Sequence, residues 1–126
     1  MTDRVTITKS FVFSAAHWFP TMPEGHRYRR MHGHSFAVEL ALTGVPDSEH
    51  GWLQDFDEVA AAVEAVRAEL DHTCLNDIAG LELPSLENLS IWIWRRLVPS
   101  LPALSRVTVR RDACGESCTY EGPDCG

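Results

Sequence analysis

The stretch 35-SFAVELALT-43 places a large apolar side chain at every second position from Phe36 to Leu42. Side chains two residues apart on a strand point to the same face of a sheet, so this alternation predicts a half-buried strand. The earlier stretch 5-VTITKSFVFS-14 repeats the pattern, with Lys9 interrupting its apolar face. We expect the two strands to be antiparallel neighbours, joined by the loop 18-WFPTMPEGHRYRRM-31. A loop of this length is typical of a functional segment rather than a simple connection.

Two amphipathic helices follow in the sequence. The first is predicted to begin after Asp55, which with Glu58 resembles a capping box, and to end near Asp71. The second is predicted to begin after Ser85 as N-cap and to end before Pro99. Apolar residues at helical spacing carry both predictions: Phe56, Val59, Val63, Val66 and Leu70 in the first helix, and Leu86, Leu89, Ile93 and Leu97 in the second.

Two short strands close the chain, at residues 105–112 and 117–121, with a turn at Gly115. The element order is therefore ββααββ. This order indicates an α+β fold, a four-stranded antiparallel sheet with two helices on one face. We expect Trp92 and Trp94, which widen the apolar surface of the second helix, to lie in the core or at a subunit interface.

The composition limits the classes of function. A length of 126 residues indicates a single domain over residues 1–126, and the formal charge of −7 disfavours nucleic-acid and anionic-membrane partners. No apolar run reaches transmembrane length, and the first ten residues lack a signal-peptide core, so we expect a cytoplasmic protein. In that compartment the four cysteines are expected to be structural or incidental thiols: Cys74, Cys114, Cys118 and Cys125.

Three of the six histidines are placed where one metal ion could bind them. His17 follows the first strand, while His32 and His34 open the second and point to one face, with Gly33 leaving room between them. If the strands are antiparallel neighbours, all three imidazoles meet. Three nitrogen ligands with an open fourth position form a catalytic zinc arrangement. On spacing alone, histidines that merely pair or face solvent remain an equal alternative.

Two further groups of residues suggest chemistry. Asp71 could orient the adjacent His72 for proton transfer, although on the sequence alone a helix-terminal Asp beside a surface His is the better explanation of the pair. Three arginines precede the second strand and suggest an anionic substrate such as a phosphate tail, against the alternative of a solvated loop face: Arg27, Arg29 and Arg30.

Seven short motifs occur in one order along almost the whole chain. They are FSAAH at 13–17, PEGH at 23–26, HGHSF at 32–36, GWLQDF at 51–56, LDHTCLND at 70–77, P-S-x-E-N-x-x-x-W-I at 84–93 and C-x-Y at 118–120. Through them the chain resembles the 6-pyruvoyl-tetrahydropterin and 6-carboxy-tetrahydropterin synthase family. PEGH and LDH-x-x-LND make it most similar to the bacterial carboxy-tetrahydropterin enzyme of queuosine biosynthesis.

The resemblance implies a tunnelling fold (T-fold), in which trimers close a β-barrel and two trimers stack into a homohexamer with active sites at subunit interfaces. It implies one zinc per subunit, held by His17, His32 and His34. The implied substrate is dihydroneopterin triphosphate or a related pterin. In the family, a cysteine and an Asp–His pair transfer the protons, and the resemblance places that pair at Asp71 and His72.

At two positions this chain has a different residue from the one that the family has. The acidic residue that anchors the pterin ring corresponds to Asp112, with Glu116 as the second candidate. At the position of the family's catalytic cysteine this chain has Tyr28, and a phenol is harder to ionise than a thiol, by about 2 kcal/mol at neutral pH.

The sequence leaves three functions open. The first is a zinc-dependent pterin enzyme in which Tyr28, Asp71 and His72 handle protons. The second is a pterin-binding homologue with little or no synthase activity, because the cysteine is absent. The third is a structural or interaction protein that uses the same barrel.

Overall fold

The computed structural model describes residues 3–124. It contains five strands and two helices: β1 (Val5–His17), β2 (His32–Gly44), α1 (Phe56–Leu70), β3 (Thr73–Cys74), α2 (Leu86–Leu97), β4 (Leu104–Arg111) and β5 (Glu116–Tyr120). Short 3₁₀ turns lie at Arg27–Arg29, Leu75–Asp77 and Asp112–Cys114. The α+β architecture predicted from the sequence is therefore confirmed.

The sheet has one strand more than the sequence predicted. Its order is β3-β1-β2-β4-β5, and every pairing is antiparallel except that of β3 with β1. Strand β3 has only two residues, which pair with Ala15 and Ala16. Two residues are too few to show an alternating pattern, and the pairing depends on distant parts of the chain.

Strands β1 and β2 form the centre of the sheet, and both are longer than the alternation indicated. Strand β1 continues to His17 and β2 begins at His32, so these two residues are directly paired at the end of the ladder. Alternate side chains form the apolar face, where the rings of Phe13 and Phe36 stack with centroids 5.0 Å apart. The same pairing therefore builds the core and brings the histidines together.

The two helices pack against each other and against the sheet, α1 on β1 and α2 on β4 and β5. Their predicted apolar stripes are largely buried, and Trp92 joins the core, while Trp94 packs against it. Ser85 caps α2 by accepting a hydrogen bond from the Asn88 N–H at 3.1 Å. Asp55 caps α1, but Glu58 accepts from Gln54 instead of completing a capping box.

Two other sequence predictions can be compared with the structure. Cys74, Cys114 and Cys118 are free thiols, while Cys125 lies outside the described residues. Among residues 3–124, no helix is long and apolar enough to cross a membrane.

Candidate active site

Three histidines converge where β1 ends and β2 begins. His17 is the Cα partner of His32, and His34 lies opposite Ala15 on the same ladder. The possible ligand atoms of the three imidazoles all lie within 4.8 Å of one another. Their ring centroids are 4.6 to 4.9 Å apart. The expected room at Gly33 is not a steric requirement, because an added Cβ would meet only the Ala15 carbonyl at 3.6 Å.

Hydrogen bonds orient two of these rings. Nδ1 of His17 lies 3.0 Å from the Pro84 carbonyl oxygen, and Nδ1 of His32 lies 2.7 Å from the Arg30 carbonyl oxygen. A carbonyl only accepts, so in each neutral ring Nδ1–H donates and Nε2 keeps its lone pair. A histidine that binds a metal through one ring nitrogen usually donates a hydrogen bond through the other, and that hydrogen bond fixes the orientation of the ring.

The burial of the cluster also suits a metal ion. His17 is 1% exposed, and Nε2 of both His17 and His34 is buried without a hydrogen-bond partner among the described residues. Burial lowers the pKa of His17 to about 4, and it also lowers the pKa of His34. Buried lone pairs on neutral imidazoles are costly unless something binds them, and zinc accepts such ligands. The donor set therefore fits zinc.

A cavity of about 760 Å³ opens beside His32 and His34. The loop that the sequence singled out supplies one wall, including Tyr28. The remaining polar side chains that line it come from the loop, from the start of α2 and from the β4–β5 hairpin: Arg27, Arg30, Ser85, Glu87, Arg111, Cys114 and Glu116. The cavity thus joins the histidine cluster to both cationic and anionic groups.

Tyr28 occupies the 3₁₀ turn in this loop, and its side chain is 43% exposed. Its hydroxyl accepts a hydrogen bond from the Arg27 guanidinium at 3.3 Å, and that guanidinium also lies over the ring, 5.1 Å from its centroid. Arg29 holds the loop itself, because it donates to the carbonyl oxygens of Pro20 and Met22. Arg27 and Arg30 therefore line the cavity, whereas Arg29 is engaged within the loop.

Asp71 and His72 do face each other. His72 has a φ of 60°, a left-handed backbone conformation that is uncommon for residues other than glycine. Its backbone N–H donates to Ser14, and its Nδ1 lies 2.9 Å from the Asp71 carboxylate. That carboxylate also accepts from the Ser14 N–H and from Arg67. These contacts, the Ser14 hydrogen bond first and the His72 hydrogen bond next, lower the pKa of Asp71.

His72 and Tyr28 line different cavities of this chain. The side chain of His72 is 82% exposed and lines a second cavity, of about 580 Å³, with Cys74 and His34. Only His34 is shared between that cavity and the one lined by Tyr28. Within one chain, the proposed proton-transfer groups therefore lie on two sides of the histidine cluster.

The two candidate anchor carboxylates also differ in position. Asp112 is 67% exposed and pairs with Arg110, and it is not among the cavity-lining residues. Glu116 lines the cavity and pairs with Arg111 at 2.7 Å. Sequence reasoning gave no role to Arg111 or to Glu87. Glu87 lies within the P-S-x-E-N motif, which was a signal, whereas Arg111 had none beyond its position at the end of a strand.

The fold and the histidine cluster define an α+β protein with a three-histidine centre beside a charged cavity. Comparison with known proteins gives the family. A family profile described as 6-pyruvoyl tetrahydropterin synthase matches residues 6–123. The 6-carboxy-5,6,7,8-tetrahydropterin synthase of Synechocystis sp. is 38% identical over 126 residues, covering 93% of each chain. This chain belongs to the 6-pyruvoyl tetrahydropterin synthase family.

Two other relatives show the breadth of the likeness. The structure of Caenorhabditis elegans 6-pyruvoyl tetrahydropterin synthase superposes with a TM-score of 0.87 at 22% identity, covering 97% of this chain and 98% of that one. The dihydroneopterin monophosphate aldolase of Pyrococcus furiosus is 35% identical over 75 residues, which is 60% of this chain and 62% of that protein. The first likeness supports the T-fold, and the second relative bears the name of a different reaction.

Proposed function

We propose that this protein is a zinc-dependent pterin-converting enzyme that acts on dihydroneopterin triphosphate or a related pterin. The observation that carries the proposal is the cluster of His17, His32 and His34, with two buried Nε2 atoms that lack partners, beside a charged cavity. These three residues would hold the zinc. When bound there, zinc supplies a Lewis acid for substrate oxygens.

The proton-transfer groups are Asp71, His72 and Tyr28. Asp71 accepts from Nδ1–H of His72 and so leaves Nε2 of His72 free to take up or release a proton. Tyr28 stands at the position of the family's thiol, and its hydroxyl receives a hydrogen bond from Arg27. We assign a proton transfer to this hydroxyl because Tyr28 lines the cavity beside His32 and His34.

Charged side chains suit a phosphorylated substrate. Arg27 and Arg30 line the cavity, and neither forms an ion pair with a carboxylate among residues 3–124. Unpaired guanidinium groups are good phosphate ligands. Arg29 then supports binding by holding the loop. For the pterin anchor we favour Glu116 over Asp112, because only Glu116 lines the cavity.

The active unit that we propose is a homohexamer, a dimer of trimers, with sites shared between subunits. The separation of His72 from Tyr28 in one chain supports this, because a neighbouring subunit could bring a second His72 to the cavity that Tyr28 lines. The name of the Synechocystis relative favours 6-carboxy-tetrahydropterin chemistry, and with it a role in queuosine biosynthesis. The cytoplasmic location and the single domain over residues 1–126 stay predictions of the sequence.

A second candidate is a pterin-binding homologue with little or no synthase activity. Tyr28 favours it, since the phenol is larger than the thiol it replaces and less acidic. If the protein is an enzyme, the name of the aldolase relative favours cleavage of the pterin side chain as the alternative to a synthase reaction.

Mass spectrometry of dihydroneopterin triphosphate incubated with zinc-loaded protein separates these functions. A product without triphosphate supports an enzyme of this class, and the mass of its remaining side chain identifies the reaction. Unchanged substrate together with pterin binding, followed by fluorescence, supports the binding homologue. Absence of both turnover and pterin binding would contradict both functions and leave a structural role for the barrel.

A further inference from the structure

The β4–β5 hairpin carries two arginine–carboxylate pairs, but only one of them belongs to the cavity. Arg110 pairs with Asp112 at 3.0 Å, and Arg111 pairs with Glu116 at 2.7 Å. Neighbouring residues of a strand point to opposite faces. Consistent with this, Arg111 and Glu116 line the cavity while Arg110 and Asp112 do not. The Arg110–Asp112 pair, which lies outside the cavity, therefore serves as a control for the Arg111–Glu116 pair, which lines it.

The guanidinium of Arg111 is only partly satisfied. Its side chain is 19% exposed, and one terminal nitrogen contacts Glu116. Its Nε is buried and has no hydrogen-bond partner among residues 3–124. A buried donor without a partner is unfavourable, and a ligand that presents an acceptor oxygen there would remove the penalty.

The adjacent carboxylate indicates what kind of acceptor this is. A free phosphate or carboxylate of a ligand would be repelled by Glu116, whose Oε1 is 2.7 Å from the guanidinium. A lactam edge fits better, because it presents a carbonyl acceptor directly beside an N–H donor. Arg111 offers the donor and Glu116 the acceptor, side by side. The pterin ring carries such an edge at its 4-oxo group and N3–H.

We propose that Arg111, held by Glu116, binds the 4-oxo oxygen of the pterin ring and makes the cavity select 4-oxo over 4-amino pteridines. The inference rests on the proposed pterin function and adds to it a residue and a specificity. It also orients the ligand, with the ring at Arg111 and the phosphate tail toward Arg27 and Arg30.

The test is a binding comparison that needs no turnover. The probes are 6-hydroxymethylpterin and 2,4-diamino-6-hydroxymethylpteridine, titrated by fluorescence at about neutral pH. They differ along one edge, where a 4-oxo group and N3–H are replaced by a 4-amino group and an unprotonated N3. We expect the full-length wild-type protein to bind the 4-oxo probe about tenfold more tightly, because a 4-amino group would set donor against donor. Arg111→Met should reduce this preference to about threefold, the remainder coming from N3–H of the 4-oxo probe, which Glu116 still accepts. Arg110→Met, the matched control, should leave it unchanged.

The outcomes separate this inference from the function on which it rests. If the wild-type protein binds neither probe, both the pterin function and the inference are wrong. If it binds both equally, or if Arg111→Met keeps the wild-type preference, the pterin function stands and Arg111 does not read the ring. Arg111→Lys keeps the charge and N–H donors but loses the planar guanidinium, so it should retain part of the preference. If Arg111→Met fails to fold, the ratio of the two probe affinities in the wild-type protein and in Arg111→Lys still tests the inference.

Discussion

At His17, burial and one hydrogen bond determine what the imidazole can do. The side chain is 1% exposed, and the Pro84 carbonyl oxygen lies 3.0 Å from its Nδ1. Burial disfavours the charged form, which is why the pKa of His17 falls to about 4. At neutral pH the ring is therefore uncharged, and its Nε2 lone pair is available as a metal ligand.

Replacing this ligand should remove the metal. We expect His17→Ala to lower the zinc content of purified protein from about one per chain to near zero, because two imidazoles alone make a weak site. Metal analysis by mass spectrometry measures it directly. His50→Ala is the matched control, since His50 is half-exposed and stacks on Trp52 away from the cluster. Stoichiometric zinc in His17→Ala would show that the cluster is not the metal site.

At Tyr28, the size and acidity of the side chain can be varied to test the proposed proton transfer. The side chain is 43% exposed and contributes nothing to the hydrophobic core, so substitution there should leave the fold intact. The free thiol has a pKa of about 8.5 and the phenol of about 10, so a larger fraction of the thiol is ionised and able to accept a proton at neutral pH. We expect Tyr28→Cys to raise synthase activity on dihydroneopterin triphosphate by at least about tenfold.

Tyr28→Phe is the companion variant, measured by the same product assay. It removes the hydroxyl that accepts from Arg27 and keeps the ring. If the phenol transfers protons, this variant should lose most of the wild-type activity, by about a hundredfold. Equal activity in the wild type and in Tyr28→Phe would show that the hydroxyl has no part in the reaction. Failure of Tyr28→Cys to gain activity would place the divergence elsewhere in the cavity.

Among the elements, the end of α1 is tied to β1 through Asp71. The carboxylate accepts from the Ser14 N–H at 3.0 Å, and Arg67 and His72 also contact it. These contacts hold the pKa of Asp71 below its ordinary value of 3.8. A carboxyl with a depressed folded-state pKa contributes stability above its unfolded pKa and loses it as the pH falls through the folded value.

The wild-type protein should therefore lose stability below about pH 4 more steeply than Asp71→Asn does. Above that pH the variant should be the less stable of the two, since its neutral amide is a weaker acceptor for Ser14 and a weaker partner for Arg67. Urea unfolding at a series of pH values measures both. Asp77→Asn, at an exposed position in a 3₁₀ turn, controls for the loss of one charge. Parallel curves for all three proteins would contradict the role of Asp71.

The elements also show where sequence patterns are informative. Alternation over 5–14 and 35–43 predicted β1 and β2, and the meeting of His17 with His32 followed from their antiparallel pairing. Strand β3 could not be predicted, because its two residues become a strand only through β1. The left-handed backbone at His72 was equally hidden, and it is what turns the ring toward Asp71.

At the scale of the whole molecule, the cavity unites segments far apart in the sequence. Glu87 comes from the first turn of α2, and Arg111 comes from the end of β4. Neither position follows from local periodicity, because each depends on how α2 packs against β4. The motifs of the sequence thus marked the histidines, the loop and the segment that carries Glu87, while the place of Arg111 in the cavity depends on tertiary packing.

The division of polar groups between two cavities leads to a test of the assembly. All three histidines of the proposed zinc site belong to one chain, but His72 lines a different cavity from Tyr28. If a neighbouring subunit supplies His72, an inactive His32→Ala chain and an inactive His72→Ala chain should complement each other when co-expressed. Random mixing would restore about a quarter of the sites, because each needs one intact group from each of two chains.

Co-expressed His17→Ala and His32→Ala, the control mixture, should restore none, since every cluster then lacks one of its three histidines. Product formation by the three mixtures, measured per subunit, is the readout, and silence of the first mixture would indicate that each site uses its own chain's His72.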